Sequence, residues 1–124
     1  TADFDALFEE VKLGPTFDYL QVDCEPARVT FDSMLKINLD KYKFAVITFE
    51  HDKYNDGDSV QNESRQYLQD RGYILIADDI SVDDQHPFED WWAHPDLVDG
   101  NIIAAMKCVT GKTKKAEDYM LGKV

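Results

Sequence analysis

Carboxylates gather where three apolar runs stop. Phe17-Asp-Tyr-Leu-Gln-Val runs into Asp23 and Glu25. Phe44-Ala-Val-Ile-Thr-Phe runs into Glu50, His51 and Asp52, and Tyr73-Ile-Leu-Ile-Ala into Asp78 and Asp79. Carboxylates beside an imidazole can orient a hydroxyl and take its proton during bond formation. His51 is the group whose ordinary chemistry exchanges a proton nearest neutral pH. In parallel α/β sheets, ligands collect at the carboxyl ends of the strands, so acids placed there three times predict one shared acidic crevice. A rival reading has Asp23 and Glu25 capping the amides of a following helix and Glu50-His51 as a hydrogen-bonded strand end. The residues alone leave both open.

Three further groups of residues invite a chemical reading. Asp90-Trp91-Trp92-Ala93-His94 either lines a substrate pocket or packs as core, since tandem aromatics serve both ends. His51, His86 and His94 with nearby Asp could supply metal ligands. They lack H-x-x-H or C-x-x-C spacing, and the acids at 78–84 lack the glycine and final glutamate of a calcium loop, so no metal site is expected. Cys24 sits between Asp23 and Glu25, whose charge disfavours a nucleophilic thiolate. It reads as a buried residue at a strand end, pointing inward.

The elements that position these groups follow from periodicity. Phe4, Leu7, Phe8 and Val11 recur at helical spacing and mark an amphipathic helix that Gly14-Pro15 ends. A strand over 17–22 follows, then a short helix with Thr30 as N-cap and Phe31, Met34 and Leu35 on its buried side. The run 43–49 hardly alternates, as expected for a strand covered on both faces. After a polar turn at 54–58, Ser59 caps a helix using Val60, Tyr67 and Leu68, which Gly72 terminates. Residues 73–77 form a third strand, 78–86 an acidic loop, and 88–93 a fourth strand. No helix separates the last two strands, so they should pair antiparallel. Ile102, Ile103 and Met106 mark a closing helix, with a break at 110–112 before a ragged tail. Right-handed crossovers then set Asp23/Glu25 beside Glu50/His51.

Composition bounds the function. The 124 residues, 44% of them hydrophobic, with seven Phe, six Tyr and two Trp, suit a single packed domain. A net charge of −12 excludes nucleic acid as a partner, because phosphate binding needs a basic footprint. The lysines 112, 114 and 115 read as a solvated turn. No apolar run approaches the ~20 residues that span a bilayer. The start, Thr1-Ala2-Asp3-Phe4, lacks the basic-then-apolar grammar of a signal peptide. Cys24 and Cys108 do not make a disulfide framework, so a reduced, cytoplasmic protein is expected.

Several of these motifs together resemble the C-terminal half of the FkbM-type S-adenosylmethionine-dependent methyltransferases. The run from Phe17 through Asp23 to Glu25 is similar to that family's (I/V)-D-x-L-x-(I/V)-D-x-E-G-x-E. The strand ending Glu50-His51, then Gly72-Tyr73, then Asp90-Trp91-Trp92-Ala93-His94-Pro95-Asp96, follow in the family's order. The match covers roughly residues 3–98, with 99–124 as closing helix and tail. The resemblance implies an α/β fold, a partial Rossmann-like sheet of about four strands, two parallel plus an antiparallel pair, flanked by helices. By the resemblance these would be the fourth to seventh strands of the methyltransferase sheet. It implies O-methyl transfer from S-adenosylmethionine to a small or carbohydrate-type acceptor. Asp23 would lie nearest the transferred methyl, touching both cofactor and reaction. Glu25, Glu50 and His51 would orient or deprotonate the acceptor, and Trp91, Trp92 and His94 would line its pocket. The chain departs from the family at Pro26-Ala27-Arg28, where the glycine and second glutamate are lost, and no glycine-rich cofactor turn precedes its strands. Such a chain alone is expected to bind S-adenosylmethionine poorly. The alternative is a non-catalytic, oligomerising or protein-binding module on the same half-fold. On either reading, a homodimer or a missing N-terminal half should cover the edge of the strand at 17–22.

Overall fold

The computed structural model describes residues 3–107 and 111–123. Its elements are α1 (Phe4–Glu10), β1 (Thr16–Val22), α2 (Ala27–Leu35), β2 (Lys43–Glu50), α3 (Lys53–Asp56), α4 (Ser59–Asp70), β3 (Ile74–Ser81), β4 (Glu89–Ala93), α5 (Gly100–Met106), β5 (Lys114–Lys115) and α6 (Ala116–Met120). The strands form one mixed sheet in the order β1-β2-β4-β3-β5. β1 and β2 are parallel, with Tyr19 opposite Val46 and Val22 opposite Phe49. β4 runs antiparallel to both neighbours, and β5 lies parallel to β3. The architecture is α/β, a partial Rossmann-like sheet with helices against it, and the expected antiparallel pair is present.

Alternation along the strands divides the side chains between two unequal faces. On one face Val22, Ile47, Phe49 and Trp92 meet Phe31 and Met34 of α2 and Val60 and Leu68 of α4. Ile47, Phe49, Met34, Leu68 and Trp92 are completely buried, and a fully buried side chain of this kind contributes about 1.5–3 kcal/mol. This face therefore carries most of the fold. The other face has only a small cluster, Ile76, Ala93 and Ile103, with Ile74, Trp91 and Val98 against it. Its β1 side is open, and Tyr19 there is 54% exposed.

Local chemistry sets the ends of the helices. α4 closes in a Schellman arrangement: the Tyr73 amide donates to Leu68 O and the Gly72 amide to Gln69 O, with Gly72 at φ +87°, where a Cβ is disfavoured. Thr30 proves to be inside α2 and not its cap. Its Oγ1 donates to Cys24 O (2.6 Å) and accepts from the Cys24 amide (3.1 Å), tying the helix back to the end of β1. Pro26 precedes the helix without a side-chain cap. Likewise Asp58, not Ser59, occupies the N-cap position of α4, and Ser59 Oγ donates to Glu63 (3.1 Å). Part of the polar turn at 54–58 is helical, as α3.

The largest departure lies at 78–86. β3 continues to Ser81, and Asp78 and Asp79 are buried, where an acidic loop was expected. Distant cations neutralise them. Lys114 Nζ donates to Asp78 Oδ1 at 2.5 Å and to Asp78 O at 2.8 Å, and Arg65 reaches Asp79. The tail is correspondingly ordered into β5 and α6, and Lys114 is buried instead of sitting in a solvated turn. Cys108, and Thr110 at the expected break, lie outside the described residues, as do Thr1 and Ala2. Cys24 is half-buried, with Sγ 3.9 Å from Ser33 Oγ.

Candidate functional site

The carboxyl ends of β1 and β2 do converge. Parallel pairing in register through Val22 and Phe49 delivers Asp23 next to Glu50. Asp52, held at φ +47°, a conformation Asp tolerates better than most residues, brings a third carboxylate. Across the β2–β4 ladder Glu89 pairs with Glu50 and adds a fourth. Burial, with hydrogen bonds shared with Asp23 and Asp52 and their negative charge, pushes the Glu50 carboxyl up to about 9. Glu50 thus holds a proton at neutral pH, as crowded carboxylates must. Burial also raises Glu89, helped by the charges of Asp23 and Asp90, against the hydrogen bond it accepts from Trp91 Nε1.

His51 belongs to the opposite face. It alternates with Glu50 and is completely buried with Phe49. The Lys53 amide donates to His51 Nδ1 (3.2 Å), so the ring proton resides on Nε2, 3.3 Å from Asp90 Oδ1. Arg65 of α4 grips Asp90 in a two-point contact, Nε to Oδ2 at 2.7 Å and a terminal nitrogen to Oδ1 at 2.9 Å, and reaches Asp79 Oδ1 at 3.2 Å. Gln61, one turn earlier, donates to the same Asp79 oxygen (2.5 Å). Burial pushes the Asp90 carboxyl up, but the hydrogen bonds from His51 and Arg65 and the guanidinium charge overcome this and hold it down at about 2. His51, Asp79 and Asp90 place ligand atoms within 4.8 Å of one another. The guanidinium already supplies the positive charge there and Nε2 carries a proton, so the chemistry of this set fits a neutralised buried network, not a metal centre. His51 has no solvent-facing atom with which to meet an acceptor directly. Its contacts orient Asp90 and the loop that carries Asp52.

The two faces separate the aromatic residues too. Trp91 borders a cavity of about 810 Å³ on the open face, lined also by Tyr19, Val46, Thr48, Ile76, Met106 and Tyr119. The Tyr19 and Thr48 hydroxyls are 2.7 Å apart, and Thr48 is opposite Trp91, so three strands build one wall. Two residues further along the same strands stand Glu50 and Glu89. The acid cluster thus lies beyond the Thr48–Trp91 end of the cavity lining. Trp92 is core, completely buried. His94 is buried too, packed edge-on against Tyr73 with centroids 4.8 Å apart, its Nδ1 accepting from the Asp96 amide (3.1 Å). Neither faces the cavity.

Asp23 and Glu50 are thus brought together. Glu25 is exposed in the turn before α2, and the first amide of α2, Ala27, is capped by Asp56 Oδ2 (3.0 Å) rather than by Asp23 or Glu25. Glu89, Arg65 and Gln61 were missed, and Asp52, counted among the strand-end carboxylates, was given no role. Arg65 and Gln61 carried a signal: they share the buried stripe of α4 with Val60 and Leu68, where a charge demands a partner. Comparison with family models, curated proteins and solved structures returns no match to this chain.

Proposed function

We propose that the chain is the acceptor-side half of an FkbM-like, S-adenosylmethionine-dependent methyltransferase that methylates a hydroxyl of a small or carbohydrate-type molecule. The observation that supports this most is the meeting of Asp23 and proton-holding Glu50 at adjacent parallel strand ends, beside an apolar cavity. The antiparallel β4–β3 pair agrees with the family's later strands. When bound, the cofactor supplies a methyl group on a sulfonium. The negative charge of Asp23 and Asp52 beside Glu50 matches that positive charge, whereas no glycine-rich turn to hold the rest of the molecule occurs after a strand of this chain. The chain's own part is to seat the acceptor on Trp91, present its hydroxyl at the strand ends, and receive its proton on the Asp23/Glu50/Asp52 cluster. A cytoplasmic setting belongs to the same proposal. Calorimetry with S-adenosylmethionine tests it. The chain alone should fail to bind at micromolar concentration and should bind once a glycine-rich first half is supplied. Failure in both arms contradicts a methyltransferase role.

A second reading, a non-catalytic oligomerising or protein-binding module, is favoured by β1. It is an edge strand beside an open face with Tyr19 half exposed, an arrangement that invites pairing with another chain. Micromolar binding of S-adenosylmethionine by the chain alone rules this reading out. So does slow exchange of the amides at 17–22 in a dilute monomer.

A further inference from the structure

The cavity on the thin face is built from two layers. The sheet supplies Tyr19, Thr48 and Trp91, and the C-terminal helices supply Met106 of α5 with Tyr119 and Met120 of α6. Trp91 and Tyr119 meet edge to face with centroids 5.1 Å apart, which makes a corner of two rings between sheet and helix. Rings favour a further ring in offset or edge-on contact, and methionine thioethers adapt to an aromatic partner. The volume of about 810 Å³ lies within the range of sites that enclose small organic molecules. The ligand body that fits this lining is flat and aromatic.

The hydrogen-bonding groups of the lining select the polar part. Trp91 Nε1 donates to Glu89 (2.5 Å) and the Tyr119 hydroxyl to Met106 O (2.7 Å), so both of these donors are engaged. The Tyr19 and Thr48 hydroxyls share a single hydrogen bond of 2.7 Å. Two hydroxyls own two hydrogens, and only one can lie between the oxygens. A ligand that displaces solvent there must accept the second hydrogen or leave it unmet, which costs more than a made bond gains. An ammonium group has no lone pair with which to accept. Asp18 and Lys107 put one charge of each sign in the lining, both exposed, and the net charge of −12 opposes an anion. The group selected is an uncharged oxygen acceptor. Thr48 lies opposite Trp91 on the adjoining strand, so one small molecule reaches the rings and the hydroxyl pair together.

We infer that this cavity takes an uncharged aromatic molecule bearing a carbonyl oxygen, its rings in the Trp91–Tyr119 corner and its oxygen on the Tyr19–Thr48 hydroxyl pair. The inference stands on the cavity alone and uses neither the strand-end acids nor methyl transfer. If methyl transfer holds, it narrows the acceptor to an aromatic molecule and away from carbohydrates, whose many hydroxyls would find few partners on these walls.

A matched series tests it: 2-acetylnaphthalene, 2-ethylnaphthalene, 2-naphthoate and 2-naphthylmethylamine, each titrated against the whole chain by calorimetry. The ketone should bind about fivefold or more tighter than the hydrocarbon, and both charged analogues should bind more weakly than the ketone. The double variant Y19F/T48V should bring ketone and hydrocarbon to equal affinity by weakening the ketone alone. M120K, at a position 75% exposed on α6, should weaken both alike, and bound ketone should slow amide exchange at 116–120. Equal binding of ketone and hydrocarbon by the wild-type chain, preference for either charged analogue, unchanged exchange at 116–120, or no binding of any of the four overturns the inference. Should Y19F/T48V fail to fold, the wild-type series and M120K still decide. Ketone binding without S-adenosylmethionine binding in either arm above removes the methyltransferase reading alone. S-adenosylmethionine binding with none of the four bound removes this inference alone.

Discussion

The last residue of β2 and the one after it have opposite fates. Glu50 faces the open side, where it hydrogen-bonds with Asp23 and Asp52 and keeps a proton; His51 faces α4 and is sealed behind Asp90. The Asp23–Glu50 meeting was readable from sequence, because parallel strands of similar length end together. The burial of His51 was also implicit, since strict alternation puts it with Phe49. It was obscured by the habit of reading an Asp/Glu/His cluster as one surface. Removing Arg65 as R65M leaves Asp79 and Asp90 buried without counter-charge and should cost about 3–5 kcal/mol in urea denaturation. Glu50 predicts a pH dependence of the opposite sign to a salt-bridged carboxylate. Its folded value near 9 lies above its ordinary 4.5, so the folded chain holds more protons than the unfolded one between those values. This contribution is complete below about 4.5 and is lost as pH rises toward 9. E50Q should flatten that part of the stability–pH curve, measured by thermal denaturation across the window.

Among the elements, β1, α2, β2, α4 and the antiparallel β4 were visible as apolar periodicities with turn residues between them. β5 and the last four residues of β3 were not. Asp78 and Asp79 look like loop residues because their partners are remote: Lys114 is 36 positions on from Asp78, and Arg65 lies on a preceding helix. Irregularities in the β3–β4 register between Leu75 and Ile80 then let two consecutive aspartates both be buried, Asp78 toward the tail and Asp79 toward α4. The lysine at 114 should therefore be the peg of the C-terminal segment. K114M should cost about 3–5 kcal/mol by exposing Asp78 as an unpaired buried charge. It should also accelerate amide exchange at 114–120 before other segments. K115M, at the half-buried neighbour, should change stability by less than about 1 kcal/mol.

At the scale of the molecule, a well-packed face carries the fold and the other face is thinly covered. No helix among the described residues is long and apolar enough to cross a membrane. Four of the acids behind the charge of −12, Asp23, Glu50, Asp52 and Glu89, meet at the strand ends. Composition announced the charge, but the open face could not be read from it, since burial of β1 depends on what packs across the sheet. If β1 pairs with a second copy, the chain should sediment as a dimer at micromolar concentration and its amides at 17–22 should become protected with increasing concentration. The expectation of one crevice fed by three strands resolves to two: the acids after β1 and β2 share a site, joined by Glu89, and those at 78–79 are spent on Lys114 and Arg65. The most direct measurement is the carboxyl carbon titration of Glu50 by nuclear magnetic resonance in the intact chain. A midpoint near 9, falling when Asp23 or Asp52 is changed to Asn, is the result expected. An ordinary midpoint near 4.5, unmoved by either change, would contradict a shared, proton-holding site at the strand ends.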